Sequence, residues 1–146
     1  MNIILFGPPG AGKGTQSDNL AKDLNLYKIS TGDLLREEVK KESKLGIKIK
    51  SILGQGVLVS DNTINDLIEN ILSNKDYFNR LIFDGYPRNL DQAKHLNVLI
   101  KKYNQKIAYV LSLKVDQNIV IKRIGIQSGI QNIILITKVW KLAPTL

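Results

Sequence analysis

The residues best suited to chemistry form one glycine-rich stretch near the amino terminus, Gly7 to Thr15, which reads GPPGAGKGT. Its glycines leave the backbone free to curl and to point successive N–H groups at one anion. Lys13 adds a mobile ammonium group, and Thr15 adds a hydroxyl that suits a phosphate or its magnesium ion. The stretch therefore predicts a site that binds phosphate groups.

The segments on either side of this stretch are those that a phosphate loop requires. Ile3 to Phe6 is an apolar run that predicts a short buried strand, and Gln16 to Leu24 carries apolar residues on one helical face. A helix that starts after the loop adds unpaired N–H groups and the positive end of its dipole. The strict pattern G-x-x-x-x-G-K-[ST] is not met, because Gly14 stands where Ser or Thr is required. A glycine-rich turn without a ligand is the alternative interpretation.

The composition limits the class of protein. The chain has 146 residues, 43% hydrophobic and 23% charged, which predicts one soluble globular domain with a sizeable core. No apolar run has the length of a membrane span, the first residues do not resemble a signal peptide, and no cysteine is present for a disulfide or a metal site. The net charge of +8 suits an anionic ligand, although a solvated basic surface explains many of the lysines equally well.

The rest of the chain alternates between strand and helix patterns. Apolar runs predict strands, and apolar residues spaced i, i+3, i+4 predict helices. Thr31 and Asp61 are predicted to cap the helices that begin there. The alternation predicts an α/β fold with a parallel sheet covered on both faces. After the first strand and helix, the predicted strands are Tyr27 to Ser30, Arg80 to Asp84 and Ile107 to Leu113, and the predicted helices are Thr31 to Lys41, Leu45 to Leu53, Asp61 to Leu72, Asn89 to Lys102 and Asp116 to Ile124.

A second group of polar residues follows the strand that ends at Asp84. Ligands of parallel sheets bind beyond the carboxyl ends of the strands. If this strand lies next to the one that leads into the phosphate loop, Asp84 can hold magnesium, directly or through water. Arg88 can then grip a transferring phosphoryl group with its planar guanidinium. A solvated carboxylate and a surface ion pair are the alternatives for these two residues.

Four motifs in this order resemble the adenylate kinase family. They are GPPGAGKGTQ at the loop, ISTGDLLR from Ile29, VLVSD from Val57, and FDGYPRNLDQA from Phe83. The resemblance covers Met1 to about Ile124, and DGYPR is nearly diagnostic of nucleoside monophosphate kinases. It implies a P-loop fold of three layers and a reversible phosphoryl transfer, ATP and AMP to two ADP, with Mg²⁺.

The resemblance also implies roles for individual residues. Lys13, Arg88 and Arg123 would stabilise charge on the transferred group, and Asp84 would hold Mg²⁺ through water. Gln92 would read the adenine base, because an amide can pair bidentately with an adenine edge. The implied ATP-binding residues are Gly10, Ala11, Gly12, Lys13, Gly14 and Thr15, and the implied AMP-binding residues are Thr31, Arg36, Val57, Leu58, Val59, Gly85, Tyr86, Pro87, Arg88 and Gln92.

The resemblance further implies a division of the chain. Residues 1–29 and 60–124 would form the P-loop core, and residues 30–59 an AMP-binding insertion that closes over its ligand. Past Ile124 the family continues with a second arginine, a lid, a last strand and a terminal helix, which we expect to be missing. We interpret residues 125–146 as an atypical tail after a reading-frame change or a premature end. A naturally compact variant, with Ile130 to Ile136 as a substitute edge strand, is the alternative.

Two other functions stay open beside the kinase. One is a truncated, non-catalytic remnant that at most binds nucleotide, and the other is a basic nucleic-acid-binding module, which lacks the expected aromatic stacking cluster. We expect ATP and AMP as partners, with no nucleic acid and no membrane. We also expect a cytoplasmic monomer without structural zinc.

Overall fold

A computed structural model describes residues 1–116 of the chain. The helix predicted from Asp116 to Ile124, except for its first residue, lies outside the described residues, and so do Arg123 and the tail predicted at 125–146. The strands are β1 (Asn2–Phe6), β2 (Tyr27–Ser30), β3 (Leu81–Asp84) and β4 (Ile107–Ser112). The helices are α1 (Lys13–Asp23), α2 (Thr31–Lys40), α3 (Lys44–Gly54), α4 (Asp61–Ser73) and α5 (Leu90–Lys102), with a short 3-10 helix at Lys75–Tyr77.

The four strands form one sheet in the order β2-β3-β1-β4. β1 runs parallel to both β3 and β4, with Leu5 opposite Asp84 and Phe6 opposite Ser112. Four of the five residues of β1 are buried, as expected for a central strand covered on both faces. The predicted α/β fold with a parallel sheet is confirmed. The strands that lead into the loop and into Asp84 are neighbours, which is the condition on which the interpretation of Asp84 depended.

The described chain divides into two compact units. The first comprises Met1–Lys28, Arg80–Asp84 and the described residues from Ile107 onward, and the second comprises Ile29–Asn79 and Gly85–Lys106. The first unit thus carries most of the sheet together with α1, and the second carries the other four helices. The predicted division at 30–59 stays a prediction.

The core of the first unit includes Ala11 of the glycine-rich stretch. Leu5, Ala11 and Leu113 are buried together, with Leu111 and Val115 packed against them. At the other end of β1, the fully buried Asn2 accepts a hydrogen bond from the Leu81 backbone N–H through Oδ1, at 3.0 Å. A buried amide with its partner made is stabilising, and here it links β1 to β3.

The core of the second unit joins α2, α3 and α4. Ile49, Val59 and Leu67 are buried at its centre, and Leu34, Leu35, Val39, Leu45, Ile52 and Ile64 pack around them. At Gly46 the α3 backbone approaches the last turn of α2 so closely that an added Cβ would lie 2.2 Å from the Glu38 carbonyl oxygen. Only a glycine at this position allows the two helices to approach so closely.

The two predicted helix caps are wrong in detail. The α4 cap is Ser60, whose Oγ accepts from the Thr63 N–H at 3.4 Å, and Asp61 occupies the first turn. The cap position of α2 is Ser30, which makes no side-chain capping bond, and Thr31 is buried. Both caps are one residue earlier than predicted, because the side chains of Asp61 and Thr31 bond to groups outside their own helices.

Replacing Gly46 with alanine should destabilise the protein by about 1–3 kcal/mol, because the new methyl group meets backbone atoms of α2 that cannot rotate away. Gly54→Ala is the matched control on the same helix, since nothing lies within 4 Å of a Cβ there. That change should leave stability unaltered or raise it by up to about 1 kcal/mol. Urea unfolding of the two variants checks this, and equal midpoints would contradict it.

Candidate functional site

The glycine-rich stretch forms a loop between β1 and α1. Gly10 and Gly12 have φ angles of 75° and 85°, in the left-handed region that favours glycine. The side chain of Ala11 between them is fully buried, and its N–H donates to the Pro8 carbonyl at 3.2 Å. α1 begins at Lys13, directly after its N-cap Gly12, and therefore earlier than the predicted Gln16. Its first turn carries no acidic residue, so the positive end of the helix dipole is left for an anion.

Lys13 lies back over the loop that precedes it. Its Nζ donates to the carbonyl oxygens of Gly7 at 2.6 Å and Pro8 at 3.0 Å. A Cβ on Gly7 would lie 3.3 Å from Lys13 Cγ and 3.0 Å from Leu113 Cβ, so a side chain there would crowd the lysine stem. The loop therefore holds one ammonium group against its own carbonyl groups.

Asp84 ends β3 beside this loop, and its side chain is 13% exposed. Ser17 Oγ on α1 lies 3.1 Å from Asp84 Oδ2 and 2.9 Å from the Gly14 carbonyl oxygen, two acceptors for one hydroxyl proton. Lys28 Nζ lies 3.9 Å from the same carboxylate oxygen. The first unit thus carries the Lys13 ammonium group on the loop and the Asp84 carboxylate at the end of the neighbouring strand. That both bind one ligand stays a prediction.

Ser17 and Lys28 were missed as site residues. Lys28 donates to Asp18 at 2.8 Å and to the Gly14 carbonyl at 3.4 Å, which places a second ammonium group near the loop. Ser17 is fully buried in α1, although a serine inside a helix is expected from sequence to face solvent. The only local signal was that Lys28 lies in a predicted strand, Tyr27 to Ser30, that ends in a hydroxyl residue.

The second unit contains a separate cluster at the start of α5. Arg88 donates through Nη2 to Thr31 Oγ1 at 2.9 Å and through Nε to the Gly85 carbonyl at 2.8 Å. Gly85 has a φ of 79°, and the peptide between Tyr86 and Pro87 is cis. The structure therefore brings together Thr31, Gly85 and Arg88, all predicted to bind one ligand.

Gln92 lies in the same cluster and is only 2% exposed. Its Oε1 accepts from the Arg88 backbone N–H at 2.7 Å, and its Nε2 donates to Asp61 Oδ1 at 2.6 Å. The other Asp61 oxygen accepts from Asn89 Nδ2 at 2.8 Å. In this conformation protein partners hold both ends of the amide, and each end keeps one further hydrogen-bonding position. Because Gln92 is buried, neighbouring side chains must move before a base can reach these positions.

The remaining predicted ligand residues are less tightly placed. Arg36 forms an ion pair with Asp33 in which both side chains are more than half exposed, and its guanidinium lies over Gly32. Leu58 is 88% exposed and Val57 is 54% exposed, whereas Val59 is buried in the core. The structure supplies an exposed apolar surface at Val57 and Leu58.

Tyr86 is a fully buried member of the second cluster. Its hydroxyl donates to Asn65 Oδ1 at 2.8 Å and approaches the Gln92 carbonyl oxygen at 3.4 Å. Burial, with a smaller effect of the Asp61 charge, raises the pKa of Tyr86 from 10.0 to about 12. The phenol is thus a neutral donor that holds α4 and α5 together.

Residues 1–116 lack two kinds of feature. No group of three or more His, Cys, Asp or Glu side chains in this part of the chain is arranged to hold a metal ion. Within the same residues, no helix is both long and apolar enough to cross a membrane.

A parallel β–loop–α unit with left-handed glycines, a loop lysine and a carboxylate on the neighbouring strand defines the class of P-loop nucleotide-binding proteins. Comparison with known proteins gives the family. A family model described as adenylate kinase matches residues 5–133, past the point near Ile124 where the motifs end. The chain belongs to the adenylate kinase family.

Individual relatives agree with the family model. The chain is 50% identical over 124 residues to an adenylate kinase of Pelagibacter ubique, covering 85% of this chain and 58% of the relative. It is 45% identical over 124 residues to an adenylate kinase of Mycoplasma mycoides, with 85% and 57% covered. An adenylate kinase of Methanocella arvoryzae is 45% identical over 125 residues, with 86% and 58% covered. The chain therefore spans less than two thirds of the length of these relatives.

The raised pKa of Tyr86 predicts a loss of stability at alkaline pH. The unfolded phenol ionises near its ordinary pKa of 10.0 and the folded phenol only near 12, so the folded state becomes less stable as the pH rises through this range. Subtracting the phenolate absorbance titration of Tyr86→Phe from that of the wild type isolates this group. Tyr109→Phe, at a ring that is 43% exposed, is the control subtraction. A Tyr86 component centred near pH 10 in the folded protein would contradict the expectation.

Proposed function

We propose that the chain catalyses the reversible transfer of a phosphoryl group from ATP to AMP, which yields two molecules of ADP. The observation that carries the proposal is the Asp84 carboxylate, within hydrogen-bond distance of Ser17 Oγ and on the strand next to the one that leads into the loop of Lys13. A glycine-rich turn without a ligand would need neither the lysine nor the carboxylate. Relatives that are named adenylate kinase support the same reaction.

The loop would bind the phosphates of ATP with Gly10, Ala11, Gly12, Lys13, Gly14 and Thr15. Its curled backbone and the uncompensated N-terminus of α1 provide N–H donors and a positive dipole end. Lys13 would exchange its bonds to the loop carbonyls for bonds to phosphate oxygens. Charge-assisted bonds are stronger than bonds to neutral carbonyls, so the exchange favours the bound state.

The second cluster would bind AMP. Arg88, already aligned by Thr31 and Gly85, would hold the phosphate with its guanidinium. Gln92 would pair with the adenine base, and Arg36 would exchange its exposed partner Asp33 for the ligand phosphate. The other proposed contacts are the segment Val57 to Val59, where Leu58 is largely exposed, and Gly85 to Pro87. Residues 30–59 are proposed to close over AMP.

The reaction needs no nucleophile from the protein. An oxygen of the AMP phosphate attacks the γ-phosphorus of ATP, the bond to the bridging oxygen breaks, and ADP leaves with that oxygen. The protein's task is to align the two nucleotides and to stabilise charge on the oxygens of the transferred group. We assign this charge stabilisation to Lys13, Arg88 and Arg123.

The residues at Asp84 fit a magnesium ion that arrives with ATP. Mg²⁺ prefers oxygen ligands and is usually held by one or two carboxylates plus substrate phosphates and water, so a single oriented carboxylate suffices. Asp84 would hold it through water, and the hydroxyl of Thr15 is a second oxygen donor of the right kind. When bound, the ion neutralises negative charge on the phosphates. We further propose a cytoplasmic monomer that needs neither nucleic acid, a membrane nor structural zinc.

Lys13→Gln tests the phosphate-loop assignment. It should lower kcat/KM for ADP formation by at least about 10²-fold, because the charge that stabilises the transferred group is removed. AMP affinity, measured by calorimetry, should be unchanged, since AMP is assigned to other residues. Lys22→Gln, at an exposed lysine in the last turn of α1, is the matched control.

The wild-type chain decides between the kinase and the non-catalytic alternative in the same assay. AMP-dependent ADP formation above background supports the kinase. Measurable binding of an ATP analogue without any such turnover would leave only a nucleotide-binding protein.

Asp84→Asn should raise the Mg²⁺ concentration that gives half-maximal turnover by about tenfold, since the amide keeps the shape but loses the negative charge that attracts the ion. Binding of an ATP analogue without metal should change little. Asp23→Asn, at the exposed end of α1, is the control for removing a carboxylate. An unaltered Mg²⁺ requirement in Asp84→Asn would remove this residue from the metal assignment.

A further inference from the structure

Asp61 holds the amide of Gln92 in one of its two orientations. A glutamine amide has a donor end and an acceptor end of nearly the same shape, so rotating it by half a turn exchanges the two. Asp61 Oδ1 can only accept, and it takes a hydrogen bond from Nε2 at 2.6 Å. The Arg88 backbone N–H can only donate, and it gives a bond to Oε1 at 2.7 Å. Rotation would place Oε1 against the Asp61 carboxylate oxygen and Nε2 against the Arg88 N–H, so that acceptor meets acceptor and donor meets donor.

The surroundings make a reversed amide unfavourable. Gln92 is 2% exposed, so water cannot easily replace a lost partner, and an unsatisfied buried polar group is destabilising. Asp61 is itself anchored, because its Oδ2 accepts from Asn89 Nδ2 at 2.8 Å. Asn89 in turn caps α5 by accepting from the Gln92 N–H at 2.8 Å. The carboxylate, the cap and the amide therefore form a closed set of hydrogen bonds.

A fixed amide can discriminate between purine bases. After these bonds are made, Nε2 retains one donor hydrogen and Oε1 one acceptor lone pair. Adenine presents its 6-amino donor next to a ring-nitrogen acceptor, which matches this pair. Hypoxanthine carries a carbonyl acceptor in place of the amino group and an N–H beside it, so it requires the amide reversed.

We propose that Asp61 is a specificity-determining residue, which selects adenine over hypoxanthine by fixing the orientation of the Gln92 amide. Asp61 acts through Gln92 and need not touch the nucleotide. The inference rests on the proposed AMP site. It adds Asp61, for which the sequence predicted only the role of a helix cap.

Asp61→Asn is the sharpest variant, because an asparagine keeps the size but offers a donor as well as an acceptor. Gln92 can then adopt either orientation at this end, and only the Arg88 N–H still favours the original one. The ratio of AMP affinity to IMP affinity should fall by about tenfold, the size expected when one hydrogen bond to a charged group no longer enforces the choice. Calorimetric titration of the full 146-residue chain with AMP and with IMP measures this ratio.

Asp66→Asn is the matched control, an exposed aspartate on the same helix, and it should keep the wild-type ratio. Thermal unfolding of both variants shows whether they remain folded, and the Gln92 side-chain NH₂ signal in NMR reports the orientation directly. A changed amide environment in Asp61→Asn, together with a lower ratio, supports the proposal.

The inference and the proposed function fail in different ways. If the wild type binds AMP but Asp61→Asn keeps the same ratio as Asp66→Asn, the specificity role is overturned and the AMP site stands. Equal weakening of AMP and IMP in a folded Asp61→Asn also overturns it, since that indicates a merely structural role. Absence of AMP binding by the folded wild type overturns the AMP site and the inference with it.

Discussion

The pairing of β1 with β3 is the constraint on which the first unit depends. Parallel strands end at the same edge of a sheet, and the register that sets Leu5 opposite Asp84 brings the start of the glycine loop level with a carboxylate. A shift of one residue would turn the Asp84 side chain to the other face of the sheet, away from Ser17. The buried Asn2 amide opposes such a shift, because its hydrogen bond to the Leu81 N–H would be lost. The chemistry at this site is therefore set by sheet register before any ligand is present.

The second unit depends on buried polar groups whose hydrogen bonds are made. Tyr86 and Gln92 are nearly inaccessible to water, so each requires partners within the protein. Asn65 and Asp61, both on α4, supply them. Polar contacts of this kind specify one arrangement of α4 against α5 more narrowly than apolar packing does, because a displaced helix leaves unpaired groups.

Much of the fold could be predicted from the sequence, since its elements have strong local signals. The strand at Tyr27–Ser30 has the predicted bounds, and the glycine loop lies between a strand and a helix as predicted. The 3-10 helix at Lys75–Tyr77 was not predicted, because it is only three residues long and has no apolar period. Its one side-chain cap, in which the Asp76 N–H donates to Asn74 Oδ1, gives no stronger signal. The start of α1 was placed too late for a similar reason, since its first turn carries no apolar residue.

Individual side-chain contacts of the candidate site were predictable only where the residues are close in sequence. Lys13 and the loop glycines form a local motif, whereas Ser17 meets Asp84 across 67 positions and Gln92 meets Asp61 across 31. No periodicity connects such pairs, because they arise from sheet order and helix packing. Thr31 illustrates the consequence: its hydroxyl was predicted to cap a helix, and it instead accepts from Arg88.

The hydrogen bonds of Lys13 explain how a phosphate loop can hold its lysine in place without a ligand and still favour anionic ligands over neutral ones. An ammonium group without partners would be costly to hold near the positive end of α1, because like charges repel there. Two carbonyl oxygens of the loop satisfy it and keep it in place. A ligand must offer more than neutral carbonyls to displace these bonds, and a phosphate does so because its oxygens are charged. A neutral ligand gains little from the same exchange, so the internal bonds of the loop favour anions even before the backbone N–H groups contribute.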